Sequence, residues 1–313
     1  MDTEGLFARF FEDARIPYVS WFTDTPRMIL YGRKMHLSPW SIAATWERAY
    51  LPHFEALGYE HIYHMPLATD PALFNAEPAP SHARPLAFVG NSMIEHTAEA
   101  IDRFRDKPAV LRAVIEAFDT GRVTRDTYAL GLPAMLPPEV LAPLDRTDLR
   151  NLELLINYEA TQRQRVDLAR SLAPLGLEVR GDPHWLQVHD KVGGSVGYFD
   201  DLAPFYRGTA VNVNSTSLQM RAAVNQRVFD CPAAGGFLIT DAQGDLFEHF
   251  DPDGGEVVAY RALEELRDLA DHYLRHPAEA REITLRARRR ILAKHTLEHR
   301  LRDLTAYLRG RFA

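Results

Sequence analysis

The order of elements predicts an α/β chain built on parallel sheets. Short apolar runs alternate with helical stretches: Tyr18–Phe22, Ile62–Met65, Leu86–Asn91 and 177–181 each precede or follow a helix-like segment. Alternation of this kind reads as a parallel sheet covered by helices. A second observation is the stretch from Val211 to Asp241, which reads as strand, polar loop, short helix, Gly235-Gly236 stop, strand and acid. A third is where its polar groups fall. In open α/β sheets ligands sit beyond the carboxyl ends of strands, where helix N-termini present free N–H groups to phosphate. Asn214, Ser215, Thr216 and Ser217 fall at one such end and Asp241 at another, so the ligand is expected there.

Taken in order, residues 4–15 place Leu6, Phe7, Phe10, Phe11 and Ala14 at helical spacing, and Pro17 ends that helix. The strand Tyr18–Phe22 runs out through Thr23-Asp24-Thr25-Pro26. A helix is expected around Ala44–Leu57, stopped by Gly58, and a strand at Ile62–Met65. Residues 75–85, with Pro78, Pro80 and Pro85, read as a linker. The first 85 residues thus supply about two strands, fewer than the ~5–6 of a typical sheet, so a first domain would be a reduced one or lack its first units here. Leu86–Asn91 is a buried strand entering a tight turn, a start for a second domain. Residues 94–173 are almost wholly helical in pattern, broken at Pro108, Gly121, Pro133 and Pro137-Pro138. A strand at 177–181, a loop at Asp182–Trp185 and a Gly193–Gly197 turn follow, and helices are expected at 263–275, 278–294 and about 296–311.

Bulk properties bound the function. The 313 residues carry a formal net charge of −7, which argues against a general nucleic-acid binder, since phosphate affinity needs clustered positive charge. The single cysteine, Cys231, excludes an internal disulfide and a cysteine-built zinc site and fits a reducing compartment. The acidic start Met1-Asp2-Thr3-Glu4 lacks the layout of a signal peptide, and no apolar run of membrane-spanning length (about 18 residues) exists. The class that remains is a soluble, cytoplasmic α/β protein.

At Asp200–Asp241, above all Asn225-Gln226-Arg227-Val228-Phe229-Asp230 with Ala234-Gly235-Gly236 and Thr240-Asp241, the chain resembles the CgeB-like spore-maturation glycosyltransferases, a branch of the GT-B glycosyltransferases. Ser20–Pro26, Met65–Asp70 with Phe74, Phe88–Asn91, and His295-Thr296 with His299-Arg300 add to the resemblance in the family's order. The start departs from the pattern, because only one helix precedes the Ser-Trp-Phe segment where members carry further β/α units. The resemblance implies a GT-B-like fold with two Rossmann-like domains facing a cleft: a partial N-terminal, acceptor-side domain at 1–83, a nucleotide-sugar-binding domain at 84–295 with a helical insertion at about 94–173, and a helix at 296–313 packing back toward the first domain. It further implies transfer of a sugar from a nucleoside-diphosphate donor to a hydroxyl of a glycan, protein or small molecule, with no cofactor and no bound metal. The alternatives are a non-catalytic or partner-dependent nucleotide-binding module, completed by a second copy or another chain, and an epimerase acting on nucleotide sugars.

Under that resemblance Asp230 holds the place of an acid that accepts from two ribose hydroxyls; a helix-surface acid is the plain alternative. Arg227, on the same helix face, would meet the diphosphate with its guanidinium fork, or else pair with Asp230. Asn225 and Ser217 are candidates for phosphate or sugar contacts, against simple N-capping. Gly90-Asn91 would let backbone approach the phosphates or the acceptor, or form an ordinary strand-to-helix turn, and Gly235-Gly236 reads as structural. Asp24, just past a strand, is the candidate general base of an inverting transfer, against a turn-forming role.

Other motifs carry less. Asp251-Pro252-Asp253 has the letters of a metal motif but the chemistry of a surface turn. His295-Thr296-Leu297-Glu298-His299 fits an H-x-x-E-H zinc pattern, with little chain after it for a third ligand. Arg286-Ala287-Arg288-Arg289-Arg290 reads as a solvated helix face rather than a partner or membrane site. His61 and His64 read as strand-end histidines, and Trp185 and Tyr198 as core aromatics before stacking platforms.

Overall fold

The computed structural model describes residues 4–30 and 36–312; of the expected first-domain range, 1–3 and 31–35 lie outside the described residues, as does 313. In chain order the elements are α1 (Leu6–Ala14), β1 (Tyr18–Phe22), α2 (Pro26–Leu30), β2 (Ser41–Thr45), α3 (Leu51–Ala56) and β3 (His61–His64). Then come β4 (Arg84–Val89), α4 (Ile94–Asp102), α5 (Pro108–Asp119), α6 (Arg125–Leu130), α7 (Pro138–Leu141) and α8 (Arg146–Leu172). The rest is β5 (Glu178–Arg180), β6 (Val192–Gly193), α9 (Leu202–Arg207), β7 (Thr209–Val213), α10 (Arg227–Ala233), β8 (Leu238–Asp241), α11 (Leu246–His249), β9 (Val258–Tyr260), α12 (Leu263–Arg275), α13 (Pro277–Lys294) and α14 (Leu297–Phe312).

The strands form two wholly parallel sheets, one of order β1-β2-β3 and one of order β6-β5-β4-β7-β8-β9. The α/β class is as expected from the alternation of runs. The second order has a consequence for function. The chain builds β4, β5 and β6 outward in one direction, then returns to lay β7, β8 and β9 on the other side of β4. The carboxyl ends of β4 and β7 therefore flank the point where winding reverses, which opens a crevice there.

The first sheet corrects the sequence reading twice. Its middle strand, β2, takes in Ala44 and Thr45, expected to begin a helix, and Ser41–Ala43, for which no element was expected, so the described residues of the region hold three strands and not two. Ile42, Ala43 and Ala44 are wholly buried. A central parallel strand covered on both faces shows no polar alternation, and alanines in it imitate a helix. The helix proper begins only at Leu51 and ends, as read, before Gly58, which stands at φ +92° where a side chain would be strained.

Helix α14 crosses back onto this sheet. Leu304 packs with Ala44 and Met65, Tyr307 lies 4.8 Å from the Tyr63 ring, and Phe312 lies 5.1 Å from Trp40 and 4.7 Å from His61. A short parallel bridge between Thr69 and Thr296 pins the start of the crossing. Thr69 N–H donates to His295 O, and Leu297 N–H donates to Thr69 O, at 3.0 and 2.9 Å.

Buried polar contacts hold the first sheet against the rest. Arg27, on α2, donates from Nε to Glu153 of α8 at 3.2 Å and from its terminal nitrogens to the carbonyls of Ala129 and Tyr128. Its guanidinium lies 5.0 Å from the Tyr128 ring and 5.4 Å from the Tyr50 ring. Burial pushes the Glu153 carboxyl upward against the pull of Arg27. Glu47, itself buried, accepts from the N–H groups of Ala222 and Ala223, each at 2.9 Å. Removing one partner of a buried pair strands the other charge, at a cost of about 3–5 kcal/mol, whereas replacing both with apolar groups is often neutral. Arg27→Met is therefore expected to lower the urea-unfolding free energy by about that amount, and Arg27→Met with Glu153→Leu to recover most of it. A single variant that loses no more than an ordinary surface substitution would show that the pair is not the anchor.

Candidate functional site

A cleft of about 920 Å³ opens at the winding reversal. Asp24 from the first sheet's side, Gly90 and Asn91 from the end of β4, and Ser217 from the loop after β7 all line it. These are four of the residues singled out from sequence, drawn from three distant segments. Gly90 lies where the backbone packs tightly: Gly181 passes so close that a Cβ on it would meet Gly90 O at 2.2 Å. Trp185, wholly buried, donates from Nε1 to the same carbonyl at 2.8 Å and is a core residue.

The opposite wall comes from α8, and the sequence reading missed it. Arg150, Asn157, Tyr158, Thr161 and Arg165 line the cleft at the spacing of one helix face. The signal was present as polar residues at helical period inside a stretch read only as a helical insertion. Arg165 donates to Asn91 O at 2.6 Å and makes no ion pair among the described residues. Behind it Arg227 donates to Asn214 Oδ1 at 2.7 Å, to the Val89 carbonyl, and to the Tyr206 hydroxyl at 3.3 Å. It too has no carboxylate partner among the described residues. Both guanidiniums stand over the Phe88 ring, 5.9 and 5.4 Å from its centre. Burial, with Arg227 adding to it, brings the Arg165 guanidinium down to about 10. Two like charges set side by side in a half-buried site favour an anion between or before them.

A buried network stands behind these cations. Asn214 accepts on Oδ1 from Arg227 and from Asn225 Nδ2, the latter at 2.8 Å, and donates from Nδ2 to Thr240 Oγ1 at 2.9 Å. Asp241 accepts on Oδ1 from the N–H and hydroxyl of Thr216, at 3.1 and 2.8 Å. Its Oδ2 accepts from Gln243 at 2.7 Å and Arg125 at 3.0 Å. Asn214, Asn225, Arg227 and Asp241 are thus brought together, though Asn214 and Asp241 are buried and hold the loop rather than face the cleft.

Asp230 is 1% exposed, so it is not a helix-surface acid, and it does not line the cleft. Thr69 and Gln226 donate to Oδ1 at 2.8 and 3.2 Å, and Tyr198 donates to Oδ2 at 3.0 Å. The reason is rotation: α10 turns Asp230 inward, against the segment that leaves β3. No ion pair joins it to Arg227 among the described residues.

The minor motifs resolve simply. His295 lies at the break between α13 and α14, buried, with Nε2 3.1 Å from His249 O, while His299 Nδ1 lies 2.6 Å from Thr296 Oγ1. The histidines are therefore not on one continuous helix, and no three His, Cys, Asp or Glu side chains converge among the described residues. Asp251 Oδ1 accepts from Asp253 N–H at 3.1 Å in an exposed turn. The basic stretch is less solvated than read, because Arg286, Arg288 and Arg290 bond to Gly255 O, to Glu77 with Asn75, and to His249 O.

Burial raises the Asp230 carboxyl to about 7 despite its three donors. Folding thus favours its protonated form. That contribution is full below the unfolded carboxyl pKa, about 3.9, and is lost as pH rises through about 7. Burial lowers His249 to about 4 and His295 to about 3, with the opposite sign: they weaken the fold as pH falls below about 6.5. Asp230→Asn should isolate the first effect. Its stability advantage over the parent, read from urea midpoints, is expected to grow from pH 4 to pH 8 and then level off. A pH-independent difference would contradict the raised carboxyl.

Residues 162–306 match the family described as Glycosyl transferase-like, a span that begins on the Arg165 turn of α8 and runs through β5–β9 into α14. No curated protein matches. Among solved structures the chain is similar to sucrose-phosphate synthase from Thermosynechococcus elongatus, at 13% identity and a TM-score of 0.49, over 87% of this chain. The chain spans 58% of the length of that structure. The matched residues build five of the six strands of the larger sheet, β5–β9, and the loop after β7.

Proposed function

We propose that the chain binds a nucleoside-diphosphate sugar at the β4/β7 end of the cleft and transfers the sugar to a hydroxyl of a second substrate. The observation that carries this is the pair Arg165 and Arg227, two guanidiniums over Phe88 with no carboxylate partner among the described residues, beside a cleft at a winding reversal. A diphosphate leaving group needs that charge, and fixed cations supply it without a metal. The motif Asn225–Asp230 further supports a place near the CgeB-like branch.

The acceptor oxygen attacks the anomeric carbon, and the bond from that carbon to the diphosphate oxygen breaks. The electron pair leaves on the diphosphate, beside Arg165, and the acceptor proton passes to Asp24. Asp24 is exposed in the cleft and oriented by Gln219, whose Nε2 donates to Oδ1 at 2.9 Å and whose Oε1 accepts from Thr25 N–H at 3.0 Å. This is the inverting form of the reaction, and Asp24 acts as base only in it. Asp230 belongs to the supporting layer in this reading.

Calorimetry with UDP-, GDP-, ADP- and dTDP-sugars tests the donor. One is expected to bind, and Arg165→Gln or Arg227→Gln to weaken it at least about tenfold, the scale of one charge-assisted contact. Binding of none, or binding indifferent to both variants, overturns the proposal. With a turning-over donor, Asp24→Asn is expected to lower kcat by about 10²–10⁴.

A second reading, a module completed by a partner, has its own observation. Helix α1 exposes Leu6, Phe7 and Phe10 by 60, 63 and 62%, beside β1, which among the described residues pairs on one side only. Light scattering after gel filtration discriminates: a monomer that turns over donor removes this reading, and obligate association supports it.

A further inference from the structure

Resting on the donor reading above, we infer that the far end of the cleft is a subsite for an acceptor that is itself an anionic sugar, held by Arg150. Arg150 and Arg165 share one face of α8, fifteen residues apart, and at about 1.5 Å per residue that separates them by about 22 Å. The cleft therefore carries a cation at each end of one wall. Arg165 lies at the strand ends, where the diphosphate is placed. Arg150 lies beyond it, beside α2, and among the described residues bonds only through Nε, which donates to Met28 O at 2.8 Å. Its terminal nitrogens have no carboxylate within ion-pair distance among the described residues, and they form the fork that fits carboxylate or phosphate.

What lies around Arg150 fits a sugar better than a bare anion. Met28 and Ile29 line the cleft on one side, and the rings of Tyr158 and His96 stand 5.5 Å apart on the other. Ring faces and apolar side chains pack against the C–H faces of a pyranose, while the charge fixes its orientation. Asp24 acts electrostatically on Tyr158 together with Arg150 and Arg103, so the base lies in the same field as this subsite. An acceptor whose anion sits on Arg150 would present a hydroxyl toward Asp24 and the donor's anomeric carbon. Glu99 is the other acid acting on Tyr158; it forms no ion pair with Arg150.

Titration with glucose 6-phosphate, glucuronate and glucose tests this, with inorganic pyrophosphate held at saturation to occupy the Arg165 end. At least one of the two anionic sugars is expected to bind about tenfold or more tightly than glucose. Arg150→Gln is expected to remove that preference, and Arg150→Lys to restore part of it. Preference for glucose 6-phosphate points to a phosphorylated acceptor and preference for glucuronate to an acidic one, and either supports the inference. Glucose binding as tightly as both anions, or a preference that survives Arg150→Gln, overturns it. Pyrophosphate titrated alone against the parent and Arg165→Gln keeps the two readings apart. If pyrophosphate depends on Arg165 while the sugars ignore Arg150, the donor reading stands and this inference falls. If pyrophosphate ignores Arg165, the donor reading falls first.

Discussion

The buried amide of Asn214 is the point on which the loop beyond β7 turns. A side-chain amide has one acceptor and one donor end, and here both are used: the oxygen takes Arg227 and Asn225, and the nitrogen gives to Thr240. Its backbone oxygen also accepts from the Tyr260 hydroxyl at 2.8 Å, which ties in β9. Three consecutive strand ends are thus held through one residue. Because Arg227 meets neutral oxygens rather than a carboxylate, its charge is positioned without being neutralised. An amide paired at both ends holds its partners in place, and rigid placement is what makes a cation useful to a developing negative charge.

The same loop is gripped from the other side. Glu47 holds Ala222 and Ala223, Tyr50 donates to Gln219 O at 2.7 Å, and Arg48 donates to Asp245 and Glu248 of the second sheet's side. The buried pair Arg27–Glu153 fixes α2 to α8, the helix that walls the cleft. Cleft geometry and sheet-to-sheet packing are therefore one problem. Asp24 and Arg165 come from segments far apart in the chain, yet hydrogen bonds to Gln219 and to the Asn91 carbonyl set the position of each.

Much of this was legible in the sequence because strong local signals and tertiary demands agree. The strand–loop–helix–strand from Val211 to Asp241, the stops at Gly58 and Gly235, and the three last helices fall close to where period and punctuation place them. The failures share a cause. Strand β2 was missed, its last two residues taken into a helix, because burial on both faces erases alternation, and Asp230 was judged from its place along a helix without knowing which way the helix is turned. Arg165 was overlooked for a related reason: an arginine within a long charged helix looks solvated until another strand end is brought beside it. Which polar residues face a cleft is decided by packing between units far apart in the chain, and a single sequence carries that only weakly.

The return of α14 onto the first sheet has a bearing on how the chain comes off the ribosome. Residues 18–64 precede the six-stranded sheet in the chain, but one face of their sheet is covered by 297–312, which follow it. Among the described residues, Val19, Trp21, Tyr63 and Met65 cluster on that side with Leu304, Tyr307 and Leu308. The six-stranded sheet meanwhile has all its strands by residue 260. The three-stranded sheet is thus covered only after the six-stranded one that follows it in the chain, so a growing chain carries an uncovered apolar surface through the synthesis that lies between, the condition in which chaperones engage and aggregation begins.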